Sequence, residues 1–112
     1  MEECPDELSV KLETIGKVEF QSVRGATAHP RIDAKTGEMH YAYYSRSQAP
    51  YLTYYVISKE GKLLRETHVD LPNATMIHDM VLTKNYAIIL DCPVKFDLSK
   101  ARLGENPFTW GK

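Results

Sequence analysis

Met39-His40-Tyr41-Ala42-Tyr43-Tyr44, followed after a short break by Tyr51-Leu52-Thr53-Tyr54-Tyr55-Val56-Ile57, is the stretch on which the fold turns. Aromatic and β-branched side chains suit a pleated surface better than a helix, where they lose χ1 freedom against the preceding turn. Both runs therefore read as strands. Asp33-Ala34-Lys35-Thr36-Gly37-Glu38 precedes the first as a polar turn, with Gly37 able to take a positive φ. Pro50 stands in front of the second, marking where that strand starts.

Outward from these runs the same grammar continues. Ser58-Lys59-Glu60-Gly61-Lys62 is a short turn, and Leu63 to Leu71 returns from it as the second arm of a hairpin. Leu63, Thr67 and Val69 are expected on one face of that arm, with Glu66, His68 and Asp70 on the other. Met76 to Leu82 reads as a further strand, closed by the tight Thr83-Lys84-Asn85 turn. Tyr86-Ala87-Ile88-Ile89-Leu90 is apolar throughout and reads as a strand covered on both faces. Pro93 with Val94-Lys95-Phe96 ends the run, and from Asp97 to Lys112 the strand pattern fades among Gly104, Pro107 and Gly111. A 3.6-residue apolar period is nowhere sustained over two turns.

The class is thus all-β and antiparallel, with about six or seven short strands at the spacing of a sandwich, barrel or propeller. A propeller blade takes roughly 40–45 residues and closure takes at least four blades. Residues 1–112 then form an antiparallel meander of about two blades, one incomplete propeller domain. Phe108-Thr109-Trp110 agrees, since its apolar side chains have nothing after them in the chain to cover them. A small self-sufficient sandwich is the other reading of the pattern.

Bulk numbers narrow the function classes. The 112 residues are 43% hydrophobic, enough for a packed core and too many for a disordered chain. Fourteen basic and fifteen acidic residues are interspersed, leaving a net charge of −1, and no basic stripe exists to meet nucleic acid. No window reaches the roughly 18 apolar residues of a spanning helix. The acidic start, Met1 to Val10, lacks the apolar segment of a secretory signal. Cys4 and Cys92 form no CxxC and no disulfide framework, so a reducing, cytoplasmic setting is expected, with Cys92 a small buried apolar residue.

Chemistry centres on four histidines, His29, His40, His68 and His78. Their spacing fits neither HExxH nor a zinc finger. His40 and His68 fall on polar strand faces and read as solvated. His29 lies between Ala28 and Pro30, at a strand end or edge. His78 shares a face with Met76, Met80 and Leu82, and an imidazole in an apolar row must find a partner, either a metal or a backbone carbonyl. The adjacent Asp79 suggests a histidine–carboxylate metal set, but alternation turns it to the opposite face. Asp79 is read as structural, tied to a turn or a neighbouring amide. No serine or cysteine has the setting of a nucleophile, and the tyrosine cluster reads as cross-strand packing rather than a ligand channel.

The sequence resembles the carotenoid cleavage oxygenase family, which includes carotenoid, apocarotenoid and stilbene dioxygenases and the retinoid isomerase. The resemblance begins at Leu12-Glu13-Thr14-Ile15-Gly16 and is strongest in Thr27-Ala28-His29-Pro30-Arg31-Ile32-Asp33 with Thr36-Gly37-Glu38. It continues through Pro50-Tyr51-Leu52-Thr53-Tyr54-Tyr55, Asp70-Leu71-Pro72, Met76-Ile77-His78-Asp79-Met80 and Leu90-Asp91-Cys92-Pro93-Val94-Lys95-Phe96-Asp97. It implies a seven-bladed propeller with axial iron(II) held by four histidines, of which His29 and His78 match the first two. The other two would follow Lys112, and neither His40 nor His68 is promoted in their place. The resemblance also implies a glutamate upstream that orients a ligand histidine, with Glu2 or Glu3 the candidates.

The activity so implied is oxidative cleavage of a C=C bond by O2 in an apolar polyene or stilbene, with Fe(2+) as cofactor and peripheral membrane contact in the full-length protein. With two imidazoles, the chain by itself is expected to bind iron weakly and turn nothing over. The alternative is a truncated, non-catalytic all-β binding module.

Overall fold

The computed structural model describes residues 6–8, 12–17 and 27–111. Glu2, Glu3 and Cys4 lie outside them. Strands β1 (Asp6–Leu8) and β2 (Thr14–Lys17) pair antiparallel. β3 (Arg31–Ile32), β4 (Met39–Tyr44), β5 (Leu52–Ile57) and β6 (Leu63–Val69) then form one four-stranded antiparallel sheet in sequence order. β7 (Met80–Leu82) pairs with β8 (Ala87–Ile89), and β9 (Val94–Phe96) pairs with β10 (Phe108–Trp110) across the short helix α1 (Leu98–Arg102). The all-β, antiparallel class holds, and the four-stranded meander has the form of a propeller blade.

The turns that close this sheet are built by side chains. Asp33 accepts through its carboxylate from the Lys35 amide at 2.8 Å, and Gly37 sits at φ 72° where it donates to the Asp33 carbonyl. Gly61, at φ 84°, donates to the Ser58 carbonyl between β5 and β6. Both positions call for the left-handed backbone that glycine takes without a Cβ clash.

The central strands β4 and β5 are buried on both faces. On one, Ala42, Tyr44 and Leu52 pack with Ile77, and Val69, Leu71, Met76 and Ile89 close around them. On the other, Tyr41, Tyr55 and Ile57 pack with Met39, Tyr43 and Leu63. Tyr41 lies directly opposite Tyr55, and their rings stack with centroids 5.2 Å apart. The expected face of β6 is corrected here. The register shifts opposite Val56 and Ile57, pairing Arg65 with Val56 and Leu63 with Ile57. That bulge turns Leu63 to the Tyr55 face, away from Val69.

Elsewhere local pattern and structure part company. Tyr86 to Leu90, read as doubly covered, is largely open: Tyr86 and Leu90 are each 72% exposed, and only Ile89 turns inward. β8 pairs with β7 alone among the described residues, and of its side chains Ile89 packs against the sheet. Met76 to Leu82 is not one strand, because ladder pairing starts only at Met80. The tail holds β10 and the helix, where Asp97 caps α1 by accepting from the Ser99 and Lys100 amides. Cys92 follows the end of β8 and is exposed rather than buried.

Candidate functional site

Ile77 and Met80, each 2% exposed, anchor the segment between them to the sheet. Ile77 inserts beside Ala42, Tyr44 and Leu52. Between these two buried anchors His78 and Asp79 are both exposed. The sequence reading put His78 within an apolar row; the apolar anchor is its neighbour instead. His29 is likewise exposed, just before β3.

These two outward imidazoles meet. His29 Nε2 and His78 Nε2 are 3.0 Å apart, with ring centroids at 4.7 Å and planes inclined by 69°. They come from segments 49 residues apart, attached to different sheets. One ring donates through its Nε2–H and the other accepts, according to tautomer. Two ring nitrogens aimed at one point can share a proton, or present their lone pairs to one cation.

Beside them stands a cluster that sequence reasoning divided differently. Arg31 Nη2 donates to both carboxylate oxygens of Asp79, at 2.8 and 2.9 Å, and its Nε donates to the Met80 carbonyl at 3.0 Å. Asp79 Oδ1 also accepts from the Met80 amide at 2.7 Å. That amide bond, with lesser help from the Arg31 and His29 charges, holds the Asp79 carboxyl below its ordinary range. The structural role read for Asp79 agrees with these bonds. Arg31, two residues after His29, joins this cluster only through its contacts to Asp79 and Met80, which no local pattern in the sequence marks. An open groove lined by Arg31, Ile32, Val81 and Leu82 runs between β3 and β7.

The other two histidines stay apart from this pair and differ from each other. His68 is exposed and bonds Glu66 at 3.1 Å, the solvated role expected. His40 is not solvated. Its Nδ1 meets the Tyr54 hydroxyl at 2.5 Å, while its Nε2 is buried and 3.6 Å from the Glu38 carboxylate. Burial raises the Tyr54 hydroxyl pKa, an effect that Arg65 opposes and Glu38 reinforces. Among the described residues no group of three or more His, Cys, Asp or Glu side chains is arranged to hold a metal.

Comparison with known proteins gives these residues a context. Residues 5–112 match the family model RPE65, retinal pigment epithelial membrane protein. The chain is 38% identical over 103 residues to the chloroplastic 9-cis-epoxycarotenoid dioxygenase NCED6 of Arabidopsis thaliana, covering 90% of this chain and 18% of that protein. It is 40% identical over 87 residues to carotenoid 9,10(9',10')-cleavage dioxygenase 1 of Pisum sativum, covering 76% of this chain and 16% of that one. Among solved structures, the lignostilbene dioxygenase of Pseudomonas brassicacearum superposes with a TM-score of 0.75 at 31% identity, over 88% of this chain and 22% of that one. The chain thus spans less than a quarter of the length of each of these relatives.

Proposed function

The chain belongs to the RPE65 family, the carotenoid cleavage oxygenases, and from that membership we propose that His29 and His78 are two of the iron(II) ligands of a C=C-cleaving dioxygenase. The observation that carries this reading is the 3.0 Å approach of the two Nε2 atoms. At that separation both nitrogens would be within reach of a single ion. The donors also suit the metal, because neutral imidazole is a fitting ligand for iron. Asp79 is engaged by Arg31 and the Met80 amide, which leaves the donor set from this chain purely nitrogen. Two further histidines of the whole protein complete the set in this reading.

When bound, iron(II) supplies the activation of dioxygen. In the overall reaction both oxygen atoms of O2 end up on the two carbons of the cleaved bond, giving two carbonyl products. His29 and His78 must each carry the ring proton on Nδ1 so that Nε2 is free to bind. One of the two Nε2 atoms carries the proton of their mutual hydrogen bond, so that ring would have to hold its proton on Nδ1 instead for both nitrogens to be free for a metal. The relatives' names, an epoxycarotenoid, a carotenoid and a lignostilbene dioxygenase, support a conjugated polyene or stilbene as the substrate class, which an apolar passage would orient. Peripheral membrane contact of the whole protein is part of the same reading.

The test is to express the full gene product with iron(II) and assay polyenes and stilbenes for paired carbonyl products, measuring iron content alongside. His29→Ala and His78→Ala should each lose iron and turnover together. A His78→Ala protein with full iron and full turnover removes the reading.

A further inference from the structure

β3 and β7, which carry the segments of His29 and His78, share no ladder: β3 is the edge of the four-stranded sheet and β7 belongs to a separate ribbon. Backbone hydrogen bonding between strands therefore cannot set the 3.0 Å separation of the two rings. Arg31 can. It is two residues from His29, and its guanidinium spans the gap to make three hydrogen bonds with Asp79 and the Met80 carbonyl, the two residues that follow His78. The Met80 amide in turn fixes the carboxylate that receives Arg31.

We infer that the Arg31–Asp79 pair is a positioning clamp that holds the His29 and His78 imidazoles at ligand distance across the boundary between two sheets. The pair is about half exposed, with side-chain exposures of 44% and 47%. Ion pairs so exposed add little to overall stability; the use of this one lies in geometry. A guanidinium presents several donors in a fixed plane, so it can bond a carboxylate and a carbonyl at once, where a lysine ammonium acts as a point charge. The inference deepens the ligand reading proposed above for these histidines, and its test separates the two.

The chain is prepared as wild type, Arg31→Leu, Arg31→Lys and Asp79→Asn, and ring-proton Overhauser contacts between His29 and His78 are recorded without metal. Zinc(II) titrations then follow both rings. Wild type should show the inter-ring contact; Arg31→Leu should lose it and bind zinc about 10–100-fold more weakly, as expected when a group supporting the ligands is removed. Asp79→Asn should fall between, Arg31→Lys should recover only part, and melting temperatures without metal should stay near wild type. An inter-ring contact that persists in Arg31→Leu, or is absent from wild type, overturns the clamp, since this readout needs no metal. A contact that depends on Arg31, in a protein whose zinc uptake survives His29→Ala and His78→Ala, leaves the clamp standing and removes the ligand reading.

Discussion

Tyr55 and Tyr86 stand in runs of the same character, aromatic and β-branched, yet one is 1% exposed and the other 72%. The difference lies in their neighbours. Tyr55 is on a central strand with β4 on one side and β6 on the other, and opposite Tyr41. Tyr86 precedes β8, a strand paired with β7 alone among the described residues. Composition makes a strand; the number of layers and ladders around it decides whether the strand is core. The histidine pair sits where the two regions join, carried on the sheet's edge and on the segment that Ile77 pins to its face.

The comparison breaks if the two tyrosines respond alike to truncation. Tyr55→Ala should cost about 3–5 kcal/mol, as for other large buried aromatics, while Tyr86→Ala should stay within about 0.5 kcal/mol. Equilibrium urea unfolding followed by circular dichroism reads both, and equal costs would mean that the ribbon is packed as tightly as the sheet. Next in size, Ile77→Ala should cost about 2–5 kcal/mol, and it should also loosen the His29–His78 ring contact seen by NMR. Val81→Ala, at an exposed position on β7, should leave that ring contact unchanged.

The two outlying histidines sharpen the contrast on a smaller scale. His40→Ala strips the Tyr54 hydroxyl of its ring partner in a partly buried site, an expected cost of about 1–3 kcal/mol. His68→Ala removes only an exposed pair with Glu66 and should be near neutral in the same unfolding assay. The smallest effect concerns Asp97, whose carboxyl is held below its ordinary value chiefly by the Ser99 hydroxyl, with the Lys100 and Ser99 amides adding to it. A carboxyl lowered by folding contributes fully above its unfolded value, and that contribution drains away as pH falls through the lower folded value. Ser99→Ala should raise the Asp97 titration midpoint toward 3.8, the ordinary value, and an unmoved midpoint in a carboxyl-resolved NMR titration would discard that cause.

Legibility in the sequence followed how local the cause was. β4 was bounded at Met39–Tyr44, β5 within a residue and β6 at its start, because aromatic runs and glycine turns act over a few residues. Leu63 leaves the face that simple alternation predicts because a bulge is a property of the pairing, not of one strand. Tyr86 to Leu90 and Cys92 are more open than their apolar character predicts, because that character says what prefers burial, not what is available to cover it. His29 and His78 were singled out through a family resemblance, whereas their convergence belongs to the docking of a ribbon on a sheet, which no short motif encodes. Arg31 went unremarked within the very segment that marked His29. An arginine beside a proline carries no local signal until its carboxylate arrives from 48 residues away.

That remoteness also orders how the molecule comes together. The hairpins of β4, β5 and β6 close over short turns, whereas the two imidazoles can meet only after 49 residues of chain have been looped and a separate ribbon has docked. The histidine pair is expected among the last contacts made in folding and the first lost in local opening. A cation that prefers the assembled pair would then act as a latch, drawing the docked arrangement out of an ensemble in which the sheet is already formed.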